Sequence, residues 1–249
     1  MEDFNIELAG VPVRIRCRHR ENRFFLKDYL CEKEPMFLIE PTEEDLKHEW
    51  DSFVIRDGKK GLKPLPRSNA FLENSAIYTQ LAEKLSYFGV LLMHGSALCM
   101  DGNAYVFTAA SGTGKSTHAR LWRELFGDRV WMINDDKPLL RISQDGVSVY
   151  GSPWNGKHNL SCNASAPLKA IVDLNRGTKT RIELISKADA FPLLVNHCFV
   201  SGKAEIKRNV AAMEINLLQQ TIFYRLFCNM DVSAAWVAWQ GMNGGISRE

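Results

Sequence analysis

The chain has 249 residues, of which 45% are hydrophobic and 24% are charged, and its formal net charge is +2. These values are ordinary for a globular protein that forms one large domain, or a core domain with an accessory lobe. The small net charge speaks against a nucleic-acid partner, because proteins that bind nucleic acid carry a marked basic excess or patch.

The first third of the chain predicts short strands separated by polar breaks, in FNIEL, VPVRIRC, MFLIE and SFVIRD. In VRIRCRHRENR the arginines alternate with other residues, so on a strand they share one face. We interpret that face as solvated rather than as a phosphate-binding patch. The turn-rich segment DGKKGLKPLPRSN then ends this part. We therefore predict a β-rich accessory lobe over residues 1–69 and a core with a C-terminal helical part over residues 70–249.

The rest of the chain predicts a mixed α/β core. An amphipathic helix over about residues 70–88 is followed by two apolar runs, LLMHGSALCM and AYVFTA, which the turn Asp-Gly-Asn joins into a hairpin. A glycine-rich loop, the helix THARLWRELF and the apolar strand VWMINDD come next. Further strands lead to a helix over about residues 204–220, the strand IFYRLFC, and a last helix over about residues 232–240.

The glycine-rich stretch AASGTGKSTHAR has the form of a phosphate-binding loop. It matches the pattern G-x-x-x-x-G-K-[ST] between a strand and a helix, except that Ala109 stands where the first glycine is usual. In such a loop Lys115 would bind the β- and γ-phosphates, and the Ser116 hydroxyl would bind Mg²⁺. The predicted nucleotide-binding residues are Ser111, Gly112, Thr113, Gly114, Lys115, Ser116 and Thr117.

Two aspartates, Asp135 and Asp136, close the strand that follows the loop's helix. If that strand lies beside the loop strand, its end delivers both carboxylates to the Mg²⁺ ion and the γ-phosphate. One carboxylate would then hold the metal, and the other would accept the proton of an attacking hydroxyl. The alternative is a surface turn, since Asn, Asp and Pro in NDDKP also favour turns.

The order of these motifs resembles a known family. The series HG, strand, S-G-x-G-K-S, helix, apolar strand, DD is similar to the catalytic core of HPr kinase/phosphorylase, which is itself similar to ATP-dependent phosphoenolpyruvate carboxykinase. The resemblance implies a P-loop core of that type, with Lys115 on phosphate and Ser116 on Mg²⁺. It also implies Asp136 as the proton acceptor, which leaves Asp135 for the metal, and His94 as an active-site residue.

The resemblance is incomplete after the aspartates. The family has a downstream loop that supplies a glutamate metal ligand and a catalytic arginine, and this chain has YGSPWNGKHN there. Lys157 could supply the missing positive charge, and Asn155 or His158 could contact the substrate. A polar loop without function is the alternative for these three residues. Because the N-terminal third has no counterpart, neither HPr as a substrate nor a phosphorylase reaction is implied.

Three functions remain open on these grounds. The preferred hypothesis is a kinase that uses ATP and Mg²⁺ to phosphorylate a hydroxyl of a peptide, a small protein or a small molecule. The alternatives are a carboxykinase-like or nucleotide-hydrolysing enzyme and a non-catalytic nucleotide sensor or adaptor. We predict a cytoplasmic protein without a membrane partner. The cysteines are scattered, the acidic amino terminus has no apolar targeting core, and no apolar run is long enough to span a membrane. The sequence leaves the oligomeric state unknown.

Overall fold

The computed structural model describes residues 1–244, and the chain divides into two compact units after Phe88. The sequence analysis placed the boundary earlier, after residue 69. The difference arises from the amphipathic helix Asn69–Leu85, which the sequence analysis assigned to the core and which belongs to the first unit.

The first unit combines a small sheet with helices. Its strands, in the sheet order β1-β2-β3, are β1 (Glu2–Leu8), β2 (Val11–Cys17) and β3 (Phe37–Ile39). Its helices are α1 (Arg20–Phe25), α2 (Glu43–Lys59) and α3 (Asn69–Leu85). Strands β1 and β2 are antiparallel, and β3 is parallel to β2.

The segment SFVIRD, predicted as a strand, lies inside helix α2, so the β-rich description of this lobe is wrong for that part. Thr42 and Asp45 form a reciprocal capping box that starts the helix. Phe53 then packs against the small cluster that α2 and α3 share. The arginine face of β2 is occupied by surface ion pairs, because Arg14 and Arg16 both contact Asp3.

The second unit contains nine strands and four helices in the part of the chain that the structure describes. The strands are β4 (Val90–Leu92), β5 (Ser96–Met100), β6 (Asn103–Thr108), β7 (Val130–Asn134), β8 (Leu139–Ser143), β9 (Gly146–Tyr150), β10 (Ser165–Arg176), β11 (Arg181–Leu184) and β12 (Ile222–Cys228). The helices are α4 (Lys115–Phe126), α5 (Lys187–His197), α6 (Ala204–Gln220) and α7 (Ser233–Asn243).

These strands form one curled, mixed sheet. Its path is β4-β8-β9-β10-β6-β5-β7, and β12 pairs with both β10 and β11. Strand β5 lies between β6 and β7 and is antiparallel to each of them. Strands β6 and β7 therefore run in the same direction and end at the same edge of the sheet.

Helices cover both faces of this sheet. Val106 and Ile171 belong to the cluster that packs against α5 and α6. Their chain neighbours Phe107 and Val172 belong to the opposite cluster, with Trp122 of α4 and residues of α7. The alternation follows from the two-residue period of a strand, which sends successive side chains to opposite faces. The result is a mixed α/β unit of three layers.

Several predicted elements are confirmed. The hairpin at Asp-Gly-Asn is formed by β5 and β6, the last two predicted helices correspond to α6 and α7, and IFYRLFC is β12. The run LLMHGSALCM, predicted as one strand, is instead divided into β4 and β5, with Met93, His94 and Gly95 between them. None of the described helices is long and apolar enough to cross a bilayer. All six cysteines are free thiols.

Candidate functional site

The loop between β6 and α4 has a backbone that only glycine adopts easily at two positions. Gly112 has a φ of 79° and Gly114 a φ of 129°, and both values lie in the left-handed region. Ala109 stands where a glycine is usual. Its φ is not positive, so the alanine causes no backbone strain there. Helix α4 begins at Lys115 directly after the loop. Its free N–H groups make this end of the helix suitable for an anion.

The side chain of Lys115 is folded back over the loop. Its Nζ donates a hydrogen bond of 2.9 Å to the carbonyl oxygen of Ala109. Burial lowers the pKa of Lys115, the charge of Asp136 raises it, and the charge of Lys137 lowers it further. The Lys115 ammonium therefore lies within electrostatic reach of Asp136 and Lys137.

The two aspartates follow strand β7, at the same sheet edge as the glycine loop. The sequence analysis considered β7 as a neighbour of the loop strand, but β5 is inserted between them. Because β6 and β7 remain parallel, their ends still meet at one edge. The insertion changes the strand order without separating the loop from the aspartates.

Asp136, His94 and Lys137 form a closed triangle of polar contacts, which we call the Asp136 triangle. One oxygen of Asp136, Oδ1, lies 3.0 Å from His94 Nδ1, and the other, Oδ2, accepts a hydrogen bond of 2.9 Å from Lys137 Nζ. Lys137 Nζ is also 2.9 Å from His94 Nδ1. Burial raises the pKa of Asp136, but the hydrogen bonds from His94 and Lys137 outweigh it and bring the pKa to about 2. The carboxylate is therefore ionised at neutral pH.

The backbone around His94 fixes the histidine at this position. Its N–H donates to the carbonyl of His197 at 2.7 Å, and its carbonyl accepts from the Thr108 hydroxyl at 2.9 Å. Gly95 N–H donates to the carbonyl of Asp136 at 3.0 Å. A Cβ at Gly95 would lie 3.1 Å from the Phe107 carbonyl oxygen, so the glycine of the HG pair permits this close approach.

Asp135 points to a different neighbour. It is buried, and its Oδ1 accepts a hydrogen bond of 2.5 Å from Gly156 N–H. Its Oδ2 is buried and has no hydrogen-bond partner among the described residues. A buried carboxylate oxygen without a partner is costly, and a hard cation such as Mg²⁺ would satisfy it. This orphaned oxygen fits a magnesium ligand.

A full protein cage for a metal is absent from residues 1–244, where no group of three or more His, Cys, Asp or Glu side chains converges. At phosphate sites Mg²⁺ keeps several waters and uses one or two protein ligands together with substrate phosphates. The hydroxyl of Ser116, in the first turn of α4, is exposed and available as the second protein ligand.

Asn134, which the sequence analysis did not select, organises the turn that carries the aspartates. Its side-chain oxygen accepts hydrogen bonds from the backbone N–H groups of Asp136 and Lys137, at 2.8 and 2.6 Å. Its amide nitrogen donates to the carbonyl and hydroxyl of Ser152 and to the carbonyl of Trp154. An asparagine directly before two aspartates is the signal for such a side-chain turn.

Lys137 and His197 are the other residues of this region that the sequence analysis missed. Lys137 follows the aspartates directly, so a lysine in NDDKP was the available signal. His197, at the end of α5, comes from a distant part of the chain, and its ring centroid is 6.2 Å from that of His94. Burial and the nearby charges of His94 and Lys115 lower the pKa of His197.

The structure places the predicted residues in different parts of this region. The structure brings His94 and Asp136 into contact and Lys115 into their electrostatic reach. Lys157 is exposed in the loop beside Gly156 and lies outside the Asp136 triangle. Asp135 directly follows β7. The other predicted residues lie along the loop and the first turn of α4, where Ser111, Gly112 and Ser116 are exposed and Thr113, Gly114 and Thr117 are half-buried.

Comparison with known proteins found one distant structural similarity. No family model matches the chain, and no curated protein matches it. Among solved structures, the chain is similar to the HPr(Ser) kinase/phosphatase from Coxiella burnetii, with a TM-score of 0.35 and 10% sequence identity over 61% of this chain and 95% of that chain. The side chains of the site itself are therefore the basis for proposing a function.

Proposed function

We propose that the protein is an HPr-kinase-like, ATP-dependent kinase that transfers the γ-phosphate to a hydroxyl group. The observation that carries this proposal is the Asp136 triangle at the sheet edge where β6 ends and the glycine loop begins. A protein that only binds nucleotide needs the loop and Lys115. It has no use for an ionised carboxylate supported by a histidine and a second lysine beside that loop.

The phosphates are bound by the loop and the start of α4. Backbone N–H groups of the loop and the Lys115 ammonium would hold the β- and γ-phosphates, and Lys115 must give up its bond to the Ala109 carbonyl to do so. One pair of unit charges at about 4 Å is worth about 4 kcal/mol at an effective dielectric near 20. Ser116 and Asp135 would hold Mg²⁺, which neutralises charge on the phosphates when bound.

Asp136 receives the proton of the acceptor hydroxyl and orients that hydroxyl. In the resting site Lys137 and His94 make it a weak base, with a pKa of about 2. Phosphate oxygens compete for Lys137, and each hydrogen bond that Lys137 transfers to them raises the basicity of Asp136. Phosphoryl transfer has a loose transition state, so positioning and charge stabilisation dominate over proton removal. Lys137 then supplies positive charge to the γ-phosphate, the role that Lys157 has in the sequence hypothesis.

The acceptor class that fits this site is a hydroxyl on a peptide, a small protein or a small molecule. The experiment that tests the proposal follows γ-labelled Mg-ATP in an extract of the source cells, with wild-type protein and with Asp136→Asn. Products are separated into protein, peptide, small-molecule and free-phosphate fractions. We expect label in one acceptor fraction with the wild type and none with the variant. Label in free phosphate alone would contradict the kinase assignment.

A further inference from the structure

The two carboxylate oxygens of Asp135, the aspartate proposed to hold Mg²⁺, have different surroundings. Oδ1 accepts a hydrogen bond of 2.5 Å from the backbone N–H of Gly156. Oδ2 is buried and has no hydrogen-bond partner among the described residues. The protein therefore occupies one oxygen of the carboxylate and leaves the other for a ligand.

Gly156 can make this contact because it has no side chain. A Cβ at this residue would lie 3.0 Å from Asp135 Oδ2 and 3.2 Å from Asp135 Cγ. Both distances are tighter than ordinary van der Waals contact, so another residue here would displace the carboxylate or the loop. Glycine thus lets the backbone approach the carboxylate closely and leaves space beside Oδ2.

The loop that carries Gly156 is tied to the turn that carries the aspartates. Before the glycine, the carbonyl oxygen of Ser152 accepts a hydrogen bond of 3.0 Å from Asn134 Nδ2. After it, the chain turns, and the Gly156 carbonyl accepts the N–H of Asn159 at 3.1 Å. These contacts on both sides hold the Gly156 N–H toward Asp135.

We infer that Gly156 is a positioning residue that limits Asp135 to one metal-binding oxygen, so that the site selects Mg²⁺ over Ca²⁺. The inference rests on the proposed function, in which Asp135 holds Mg²⁺ beside the phosphates. Mg²⁺ requires a compact octahedral shell and uses few protein ligands, whereas Ca²⁺ takes more oxygens and often both oxygens of one carboxylate. An Asp135 that offers only Oδ2 denies Ca²⁺ the second contact and still serves Mg²⁺.

The test measures the affinity of the full chain for a non-hydrolysable ATP analogue by titration calorimetry, with Mg²⁺, with Ca²⁺ and with EDTA. We expect the wild type to bind the analogue at least about fivefold more tightly with Mg²⁺ than with Ca²⁺. Hydrogen-bond partners of metal ligands typically change metal affinity by about 10–100-fold. Gly156→Ala should therefore weaken binding with Mg²⁺ by about tenfold and reduce the preference over Ca²⁺ to less than about twofold. Its affinity in EDTA should stay within about twofold of the wild type.

Gly202→Ala is the matched control. An added Cβ at Gly202 would meet no atom within 4 Å, so this variant should change none of the three affinities. Asp135→Asn and Asp135→Ala test the orientation of the side chain without altering the loop. In Asp135→Asn the amide oxygen accepts the Gly156 N–H, and the NH₂ group, which cannot bind a cation, takes the position of Oδ2. Asp135→Asn should therefore lose the Mg²⁺-dependent gain in affinity as fully as Asp135→Ala.

Three results would each overturn the inference and leave the proposed function standing. They are equal wild-type affinities with Mg²⁺ and Ca²⁺, an unchanged Mg²⁺ preference in Gly156→Ala, and a larger Mg²⁺-dependent gain in Asp135→Asn than in Asp135→Ala. A loss in Gly156→Ala that is as large in EDTA as with Mg²⁺ would also contradict it, because the defect would then lie in the fold or the phosphate loop. If the wild type binds the analogue under none of the three conditions, the proposed function fails and the inference fails with it.

Discussion

Glu73 in the first unit and Asp136 in the second are both carboxylates whose pKa is lowered, and the groups around them differ in kind. Glu73 is 0% exposed, and both its oxygens accept hydrogen bonds, from the backbone N–H groups of Arg18 and His19 and from the side chains of His19 and Asn22. The Asp136 side chain is 29% exposed and is held by two side chains, His94 and Lys137.

The difference separates a structural carboxylate, Glu73, from Asp136, the carboxylate that we propose to be reactive. All the donors to Glu73 come from within its own unit and leave no oxygen facing solvent, so the network stabilises one conformation. Around Asp136 the partners are side chains of His94 and Lys137 rather than backbone groups. Lys115 Nζ donates to a backbone carbonyl, and Lys137 Nζ contacts both Asp136 and His94. The neighbouring Asp135 has one carboxylate oxygen without a hydrogen-bond partner among the described residues. Such incomplete satisfaction is expected where a charged ligand completes the site.

The largest expected effect comes from removing the charge of Asp136. Asp136→Asn should reduce the rate of phosphate transfer by about 10²–10⁴-fold, because the acceptor loses its proton acceptor, while Mg-ATP binding stays within about threefold. Transfer kinetics and Mg-ATP titration on the same preparation measure both. Lys115→Ala is the contrast, since it should weaken binding and transfer together. A parallel loss of both in Asp136→Asn would make Asp136 a binding residue.

The second effect is on stability. Glu73→Gln should lower the free energy of unfolding by about 3 kcal/mol, because the amide turns donors toward the donors already there and leaves buried groups unpaired. Urea unfolding measures the loss, and the transfer rate per folded molecule should not change. Glu44→Gln, at an exposed position of α2, is the control and should stay within about 0.5 kcal/mol. Lower activity in folded Glu73→Gln would contradict the distinction between the two carboxylates.

Two lysines of the second unit, Lys137 and Lys157, can be ranked by their expected effect on transfer. Lys137→Met should slow transfer by about 10–10²-fold, since it removes the cation that contacts Asp136, with a smaller effect on Mg-ATP affinity. Lys157→Met, whose lysine is exposed and outside the triangle, should change the rate by less than about threefold. Single-turnover rates at saturating Mg-ATP measure both variants. If the order is reversed, Lys157 takes the catalytic role and Lys137 becomes a structural partner of Asp136.

The smallest effect is the pH dependence of stability. The folded-state pKa of Asp136, about 2, is below its ordinary value of 3.8. Its stabilising contribution is therefore fully present above about pH 4 and is lost as the pH falls toward 2. The difference in unfolding free energy between wild type and Asp136→Asn should narrow by up to about 2 kcal/mol over this range. Urea unfolding at pH 6, 4 and 3 tests this, and a constant difference would contradict the lowered pKa.

Many of the secondary-structure elements and motifs were predicted from local sequence patterns. The phosphate-loop motif, the hairpin at Asp-Gly-Asn and the helices α6 and α7 depend on residues close in sequence, so the chain alone indicated them. The strand predicted at SFVIRD failed for the complementary reason. Three apolar residues in a row, Phe53 to Ile55, fit either element, and the capping box at Thr42 with packing on α3 selected the helix.

The residues of the candidate site also divide into those that local sequence indicated and those that only the tertiary structure brought together. Sequence alone determined that a glycine loop precedes Lys115 and that two aspartates end an apolar strand, because motif chemistry is local. Only the tertiary structure decided that β5 separates β6 from β7 and that Lys137 meets His94, 43 positions away along the chain. It also decided that His118 Nδ1 is buried without a hydrogen-bond partner among the described residues. Strand order and side-chain convergence depend on long-range pairing, which leaves no local signal in the sequence.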